Sequence, residues 1–123
     1  MSIATTVWTA LNGAVNGRMY PLTLPAGVTF PALTYFQVSK VAGYTHNKAD
    51  GTTRERWQFS CWARSYKAAK ELAATISATL NTYTGGTGAV VKMSMFENET
   101  DIADPEPGLY QIPVDFVFLV QSV

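Results

Sequence analysis

Few side chains in this sequence have the type and spacing needed for catalysis or for binding a metal. The lone histidine, His46, has no second histidine, cysteine pair or carboxylate at the spacing of a metal site. The single cysteine, Cys61, falls on the apolar face of a predicted strand, where a thiol commonly behaves as a small hydrophobic residue. A solvated loop histidine and a buried, unreactive cysteine are therefore the favoured interpretations.

Two further segments have the composition of a phosphate-binding loop or an acid–base site, but neither lies in the structural context that such a site needs. The glycine-rich segment 84–88 could cradle phosphate, but phosphate-binding loops follow a strand, open a helix and carry a lysine. This segment follows a predicted helix and has no lysine, so we interpret it as a helix stop and turn. The carboxylates of segment 97–106 lie in a predicted polar loop, where nothing indicates the burial that separates the pKa values of an acid–base pair. The sequence therefore predicts no enzyme, no cofactor and no metal site.

The composition is that of one globular domain. The chain has 123 residues, 47% of them hydrophobic and 15% charged, so we expect a single domain over residues 1–123. Nine basic residues balance nine acidic ones, which argues against sequence-specific nucleic-acid binding through many phosphate contacts. One cysteine, no N-terminal signal pattern and no apolar run long enough to span a bilayer predict synthesis in a reducing cytoplasm and no membrane contact.

Hydrophobic periodicity predicts six elements in the order helix, strand, strand, helix, strand, strand. Ser65 is a good N-cap for the second helix. The polar segment 43–53 contains the turn pair Asp50-Gly51 and predicts a mobile hairpin tip. Pro113 cannot donate to a strand ladder and predicts an edge or a bulge. The elements are expected over about residues 2–12, 32–41, 54–64, 65–83, 88–97 and 110–120.

This order predicts an α+β domain, a mostly antiparallel four-stranded sheet with two helices packed on one face. Side chains alternate along a strand, so each strand has one apolar face that meets the apolar stripe of the second helix. The residues expected in this core are Trp57, Phe59, Ile76, Leu80, Ile112, Val114 and Phe116.

Charges are segregated along the chain although they balance overall. Seven basic and two acidic residues lie between residues 40 and 70, whereas five carboxylates lie within segment 97–106. Two interpretations stay open: two solvated surfaces without a function, or a head-to-tail contact between the basic hairpin of one subunit and the acidic loop of the next, which closes into a ring if the rotation permits. The candidate interface residues are Lys48, Arg54, Arg56, Glu97, Glu99, Asp101 and Asp104.

Several segments occur in an order and at a spacing that cover nearly the whole chain. They are the N-terminal helix, Tyr20-Pro21 with Gly27–Pro31, Trp57–Ala63 followed directly by Ser65–Ala69, and Asn98-Glu99 through Asp104-Pro105 to Gly108–Tyr110. By these segments the chain resembles the tail completion or tail terminator proteins of long-tailed bacteriophages and gene transfer particles. Residues 84–95 match no part of that pattern.

The resemblance implies a small α+β subunit that forms a ring, usually a hexamer, on the last ring of tail-tube protein. There it stops tube polymerisation and presents a surface to the head. The implied partners are further copies of the chain, the tail-tube protein and a head-connector or neck protein, and DNA can pass through the ring. The implied location is the neck region of the virion tail, after synthesis in the host cytoplasm. The family has no catalytic residues or cofactor to carry over.

A function of a different class also stays open, a small ligand- or peptide-binding module with no catalytic activity. In that case exposed aromatic residues such as Tyr44 and Trp62 would line a groove. A chain that stays monomeric at all concentrations, and with tail-tube protein present, would favour this alternative.

Overall fold

The described part of the chain forms two α-helices, a 3₁₀ turn and one sheet. In a computed structural model of the protein, the described residues are 4–15, 17–45, 48–81, 84, 89–106 and 108–122. The elements are α1 (Ala4–Leu11), a 3₁₀ turn (Asn12–Val15), β1 (Met19–Pro21), β2 (Ala32–Thr45), β3 (Lys48–Ala63), α2 (Tyr66–Leu80), β4 (Ala89–Glu99), β5 (Ile102–Glu106) and β6 (Leu109–Ser122).

The sheet has the strand order β1-β2-β3-β6-β4, and β5 pairs with β6 beside β4. Strand β1 runs parallel to β2, and every other described pair is antiparallel. The predicted α+β class is confirmed, but the predicted count of four strands is too low. Strand β1 has only three residues, too few to show a period, and β5 lies in a segment rich in proline and charge, so neither has the sequence signature of a strand.

The core lies between the helices and one face of the sheet. All seven residues expected there are buried: Trp57, Phe59, Ile76, Leu80, Ile112, Val114 and Phe116. Strand β6 is central and supplies Phe116, whose ring meets those of Phe59 and Phe96 edge to face at centroid distances of 6.3 and 5.8 Å. Val7 and Leu11 of α1 join the same cluster, so both helices cover one face, as predicted.

Helix α2 begins where its cap predicts and ends slightly earlier than expected. The Ser65 hydroxyl accepts a hydrogen bond from the Ala68 amide at 3.1 Å, which satisfies one of the free amides of the first turn. The fully buried Ala69 and Ala73 have short side chains that let the helix lie close to the sheet. The helix ends at Leu80, and the predicted last residue, 83, lies outside the described residues.

The hairpin between β2 and β3 is more regular than its polar sequence suggests. The segment predicted as a tip is largely strand, because β2 continues to Thr45 and β3 starts at Lys48. Cross-strand pairing therefore overrides the turn signal at Asp50, and the predicted loop residue His46 lies outside the described residues.

The position of Pro113 also differs from the prediction. It lies in the central strand β6, opposite Ser60 of β3, and not at an edge. Its carbonyl accepts a hydrogen bond from the Thr100 amide at 3.0 Å, so its nitrogen faces the connection between β4 and β5. A ladder donor is not needed at that connection, which explains how a central strand tolerates the proline.

Candidate assembly surfaces

The sheet face opposite the helices carries a groove of about 330 Å³, which we call the open-face groove. It crosses four strands, because Ser39 of β2 pairs with Arg56 of β3, and Arg56 pairs with Val117 of β6, beside β4. Its lining is Ser39, Val41, Arg54, Arg56, Glu97 and Val117.

Arg56 is held inside this groove by a carboxylate of its own chain. Its Nη2 donates to Oδ2 of the buried Asp115 at 2.7 Å, and Nε2 of Gln58 donates to the other oxygen of that carboxylate at 3.1 Å. The hydrogen bond to Asp115 and the charge of that group raise the pKa of Arg56, and the charge of Glu97 raises it further. The Arg56 side chain is 42% exposed and the Asp115 side chain 9%. The carboxylate of the pair is therefore buried, while part of the guanidinium side chain is exposed to solvent.

A second polar cluster, which we call the helix latch, joins the first turns of α2 to the end of β4. It consists of Tyr66, Lys70, Glu99 and Asp101. The ammonium of Lys70 lies 2.7 Å from Oε2 of Glu99 and 2.7 Å from Oδ1 of Asp101, and the Tyr66 hydroxyl donates to Oδ2 of Asp101 at 2.7 Å. These bonds lower the pKa of Asp101 and raise the pKa values of Tyr66 and Lys70. Two of the five carboxylates of segment 97–106 are thus bound within the subunit.

A cavity of about 540 Å³, which we call the edge cavity, lies along β4 near the end of α2. Its apolar lining includes Met93 and Phe96, which are 48% and 46% exposed. The buried Ser94 hydroxyl has no hydrogen-bond partner among the described residues. The full lining is Asn81, Thr84, Lys92, Met93, Ser94, Met95 and Phe96.

The predicted interface residues fall into three groups. Arg54, Arg56 and Glu97 line one groove of a single subunit, although they were expected on opposite sides of a contact. Glu99 and Asp101 belong to the helix latch. The structure does not describe the side chains of the other two residues, Lys48 and Asp104.

Sequence reasoning missed the internal partners of these charges. The ion pair of Asp115 could have been predicted in part. Asp115 is the only charged residue between 110 and 120, and a carboxylate in an apolar strand needs a cation nearby. Lys70 gave a weaker signal. It follows Tyr66 by four residues and therefore shares its helix face, but nothing in the sequence places that face beside Asp101.

Cys61 and Trp62 both make contacts within the fold. Cys61 is fully buried, and this burial raises the pKa of its thiol. Trp62 is half-buried and donates from Nε1 to the Thr34 hydroxyl at 2.9 Å, while the side chain of Tyr44 lies outside the described side chains. Within the described part of the chain, no three His, Cys, Asp or Glu residues cluster as metal ligands, and no helix is long and apolar enough to cross a membrane.

Comparison with known proteins identifies one family. A family model described as "Tail completion protein gp17" matches residues 4–121. Among solved structures, one chain of the "Virion of native gene transfer agent (GTA) particle" is similar over 94% of this chain and 92% of that chain, with a TM-score of 0.73 and 14% sequence identity. At that identity the similarity shows a shared fold. No curated protein sequence matches the chain.

Proposed function

The chain belongs to the tail completion protein gp17 family, and we propose that it ends the tail tube of a phage-like particle. In this proposal copies of the chain form a ring, a hexamer, on the last ring of tail-tube protein. The ring stops polymerisation of the tube and offers its other side to a head-connector or neck protein. The family match over residues 4–121 is the observation that carries the proposal.

The structure supports an assembly role better than a catalytic one. The two clusters of paired charges, the Arg56–Asp115 pair and the helix latch, both join elements of the fold. Charges that are paired and hydrogen-bonded in this way favour one arrangement of the strands and of α2. We therefore propose a non-enzymatic protein of the virion tail, located in the neck and made in the host cytoplasm.

The head-to-tail contact between basic hairpin and acidic loop remains part of the proposal, with a narrower set of residues. Arg56, Glu99 and Asp101 already have partners within the chain, so reversing their charges would disturb the subunit itself. Arg54 is exposed and is the better probe, whereas Glu97 is exposed but its charge also acts on Arg56 of the same chain. Exposed ion pairs are individually worth only about 0 to 1 kcal/mol, so charge selects the partner while apolar contacts supply most of the affinity.

The mass of the assembled species tests this function. Light scattering of the chain after size exclusion should give a ring, alone or once the tail-tube protein is added, and tube growth should stop when the ring binds. A chain that stays monomeric with tail-tube protein present, and leaves tube growth unchanged, would refute the proposal.

The alternative of a small ligand- or peptide-binding module has one observation in its favour, the apolar edge cavity. That observation also fits a contact between subunits, because the cavity lies at an edge of the sheet. The same mass measurement separates the two, since the module needs no self-association.

A further inference from the structure

The two edges of the sheet differ in charge and both expose apolar side chains. Residues 17–42, which include β1 and most of β2, carry Arg18 and Lys40 and no carboxylate. Residues 89–106, which include β4 and β5, carry one lysine and five carboxylates, a net charge of −4. Lys70 of the helix latch offsets one of these charges. Counted over these segments, the first edge is cationic and the second anionic, although Lys92 of the second edge lines the edge cavity itself.

The cationic edge is uncovered beyond the end of β1. Strand β1 pairs with β2 only at residues 33–35, and no other described strand pairs with this side of β2. Val38 follows, 45% exposed, at a bulge between Gln37 and Ser39. A bulge leaves the extra residue out of the ladder. Val38 is thus an apolar side chain on an unpaired edge.

The anionic edge carries the edge cavity at the same level of the sheet. One transverse row runs from Gln37 to Phe96 through Trp57 and Phe116, and the next runs from Ser39 to Met95 through Arg56 and Val117. Val38 lies between these two rows on one edge. Met95 and Phe96, which line the cavity, lie on the same rows at the other edge.

We propose that the β2 edge of one copy docks against the β4 edge of the next, with Val38 seated in the edge cavity. The occupant is a second copy of this chain, because the edges are oppositely charged and their apolar groups share one level, as a planar head-to-tail ring requires. This inference rests on the proposed ring and specifies its contact.

The contact is made by side chains and does not continue the sheet from copy to copy. Both edge strands are bulged, β2 after Gln37 and again after Ala42, and β4 after Val91 and again after Phe96. Bulges break the regular row of backbone donors and acceptors on which strand addition depends. An apolar side chain in a cavity does not require that row.

Aspartate substitutions test the contact. Val38→Asp removes the apolar side chain from the cavity and places a carboxylate against Met93 and Phe96, and it should raise the dissociation constant of self-association by about tenfold or more. Ala74→Asp is the control, since Ala74 is exposed on α2 and lines neither the edge cavity nor the open-face groove, so its effect should stay within about threefold. Met93→Asp, on the opposite edge, should weaken association as Val38→Asp does. The readout is sedimentation equilibrium of the full chain, with circular dichroism confirming the fold.

A cysteine pair gives a second readout that does not depend on affinity. The double variant Val38→Cys, Met95→Cys should form disulfides between copies under oxidation, seen as a ladder on a non-reducing gel, whereas either single variant should not give the ladder. Rings that persist in Val38→Asp and form no ladder would overturn this contact and leave the ring function standing. A wild-type chain that never assembles, with or without tail-tube protein, would overturn both.

Discussion

Phe116 shows how one residue can determine the stability of the domain. It is fully buried in the central strand and touches the rings of Phe59, Phe96 and Phe118. Phe116→Ala should lower the free energy of unfolding by about 3 to 5 kcal/mol, because a large cavity opens where the core cannot collapse. Phe96→Ala, at a site 46% exposed, should cost clearly less. Urea unfolding of both variants measures the difference, and equal losses would show that β6 is not the centre of the core.

Asp101 gives the fold a dependence on acid pH. The hydrogen bonds from Lys70 and Tyr66 lower its pKa from the ordinary value of 3.8. Its ionised form therefore stabilises the folded chain above that value, and this contribution is lost as the pH falls through the lowered pKa. Asp101→Asn should flatten the decline in melting temperature between neutral pH and about pH 3, whereas Glu71→Gln, at an exposed helix site, should not. An unchanged decline in Asp101→Asn would show that the latch adds nothing to stability.

The residue types alone predicted which side chains of the strands are buried, but they did not predict which charged side chains form ion pairs. Alternation along β3 and β6 placed Trp57, Phe59 and Phe116 correctly, because a strand face is a local property of the sequence. The partner of Arg56 could not be predicted in the same way. Asp115 lies 59 positions away, and only the register of β3 against β6 brings the two together.

Helix α2 has a serine at its N-cap and another within it, and the two have opposite expected effects. The Ser65 hydroxyl caps the helix, so Ser65→Ala should lower the free energy of unfolding by about 0.5 to 2 kcal/mol. The buried Ser77 hydroxyl has no partner among the described residues, so Ser77→Ala should be neutral or stabilising. Thermal melts of both variants measure this contrast. A destabilising Ser77→Ala would point to a hydrogen bond that forms in solution.

We expect that the β2–β3 hairpin can be shortened without unfolding the domain. Thr52 and Thr53 pair with Gln121 and Val120 of β6, so they belong to the sheet and must be kept, whereas the pair Tyr44 and Ala49 lies beyond the end of that ladder. Replacing residues 44–49 with an Asn-Gly turn should leave the melting temperature nearly unchanged but reduce binding to tail-tube protein. Pull-down with tail-tube protein measures this binding. If the shortened chain binds as well as the wild type, the hairpin does not contact the tail-tube protein.

The elements with long periodic patterns were predictable, and the short or edge elements were not. α2 and β6 have complete apolar stripes, and both were placed within a few residues. β1 and β5 exist because a neighbouring strand offers free backbone groups, which is a property of the assembled sheet. The edge cavity has the same origin, since it forms only where β4 meets the end of α2.

At the scale of the whole molecule, both the charges and the apolar groups of the two sheet edges contribute to self-association. The edge contact carries opposite charges at its rim and apolar groups at its centre, so assembly should weaken as salt rises but should not vanish. Sedimentation of the wild-type chain at about 0.05 and 0.5 M salt measures this. Complete loss at high salt would show that charge alone holds the copies together, and no change would show that the charge segregation is ordinary surface.

A protein that ends the tail tube must lie at one end of it, so the position of this chain on the tube is the decisive measurement. Tail-tube protein is polymerised with the chain carrying a gold-labelled tag, and the tubes are imaged by electron microscopy. We expect one labelled ring at one end of each tube, and no growth from that end when more tube protein is added. Label spread along the tubes or absent from their ends, with growth continuing at both, would contradict it.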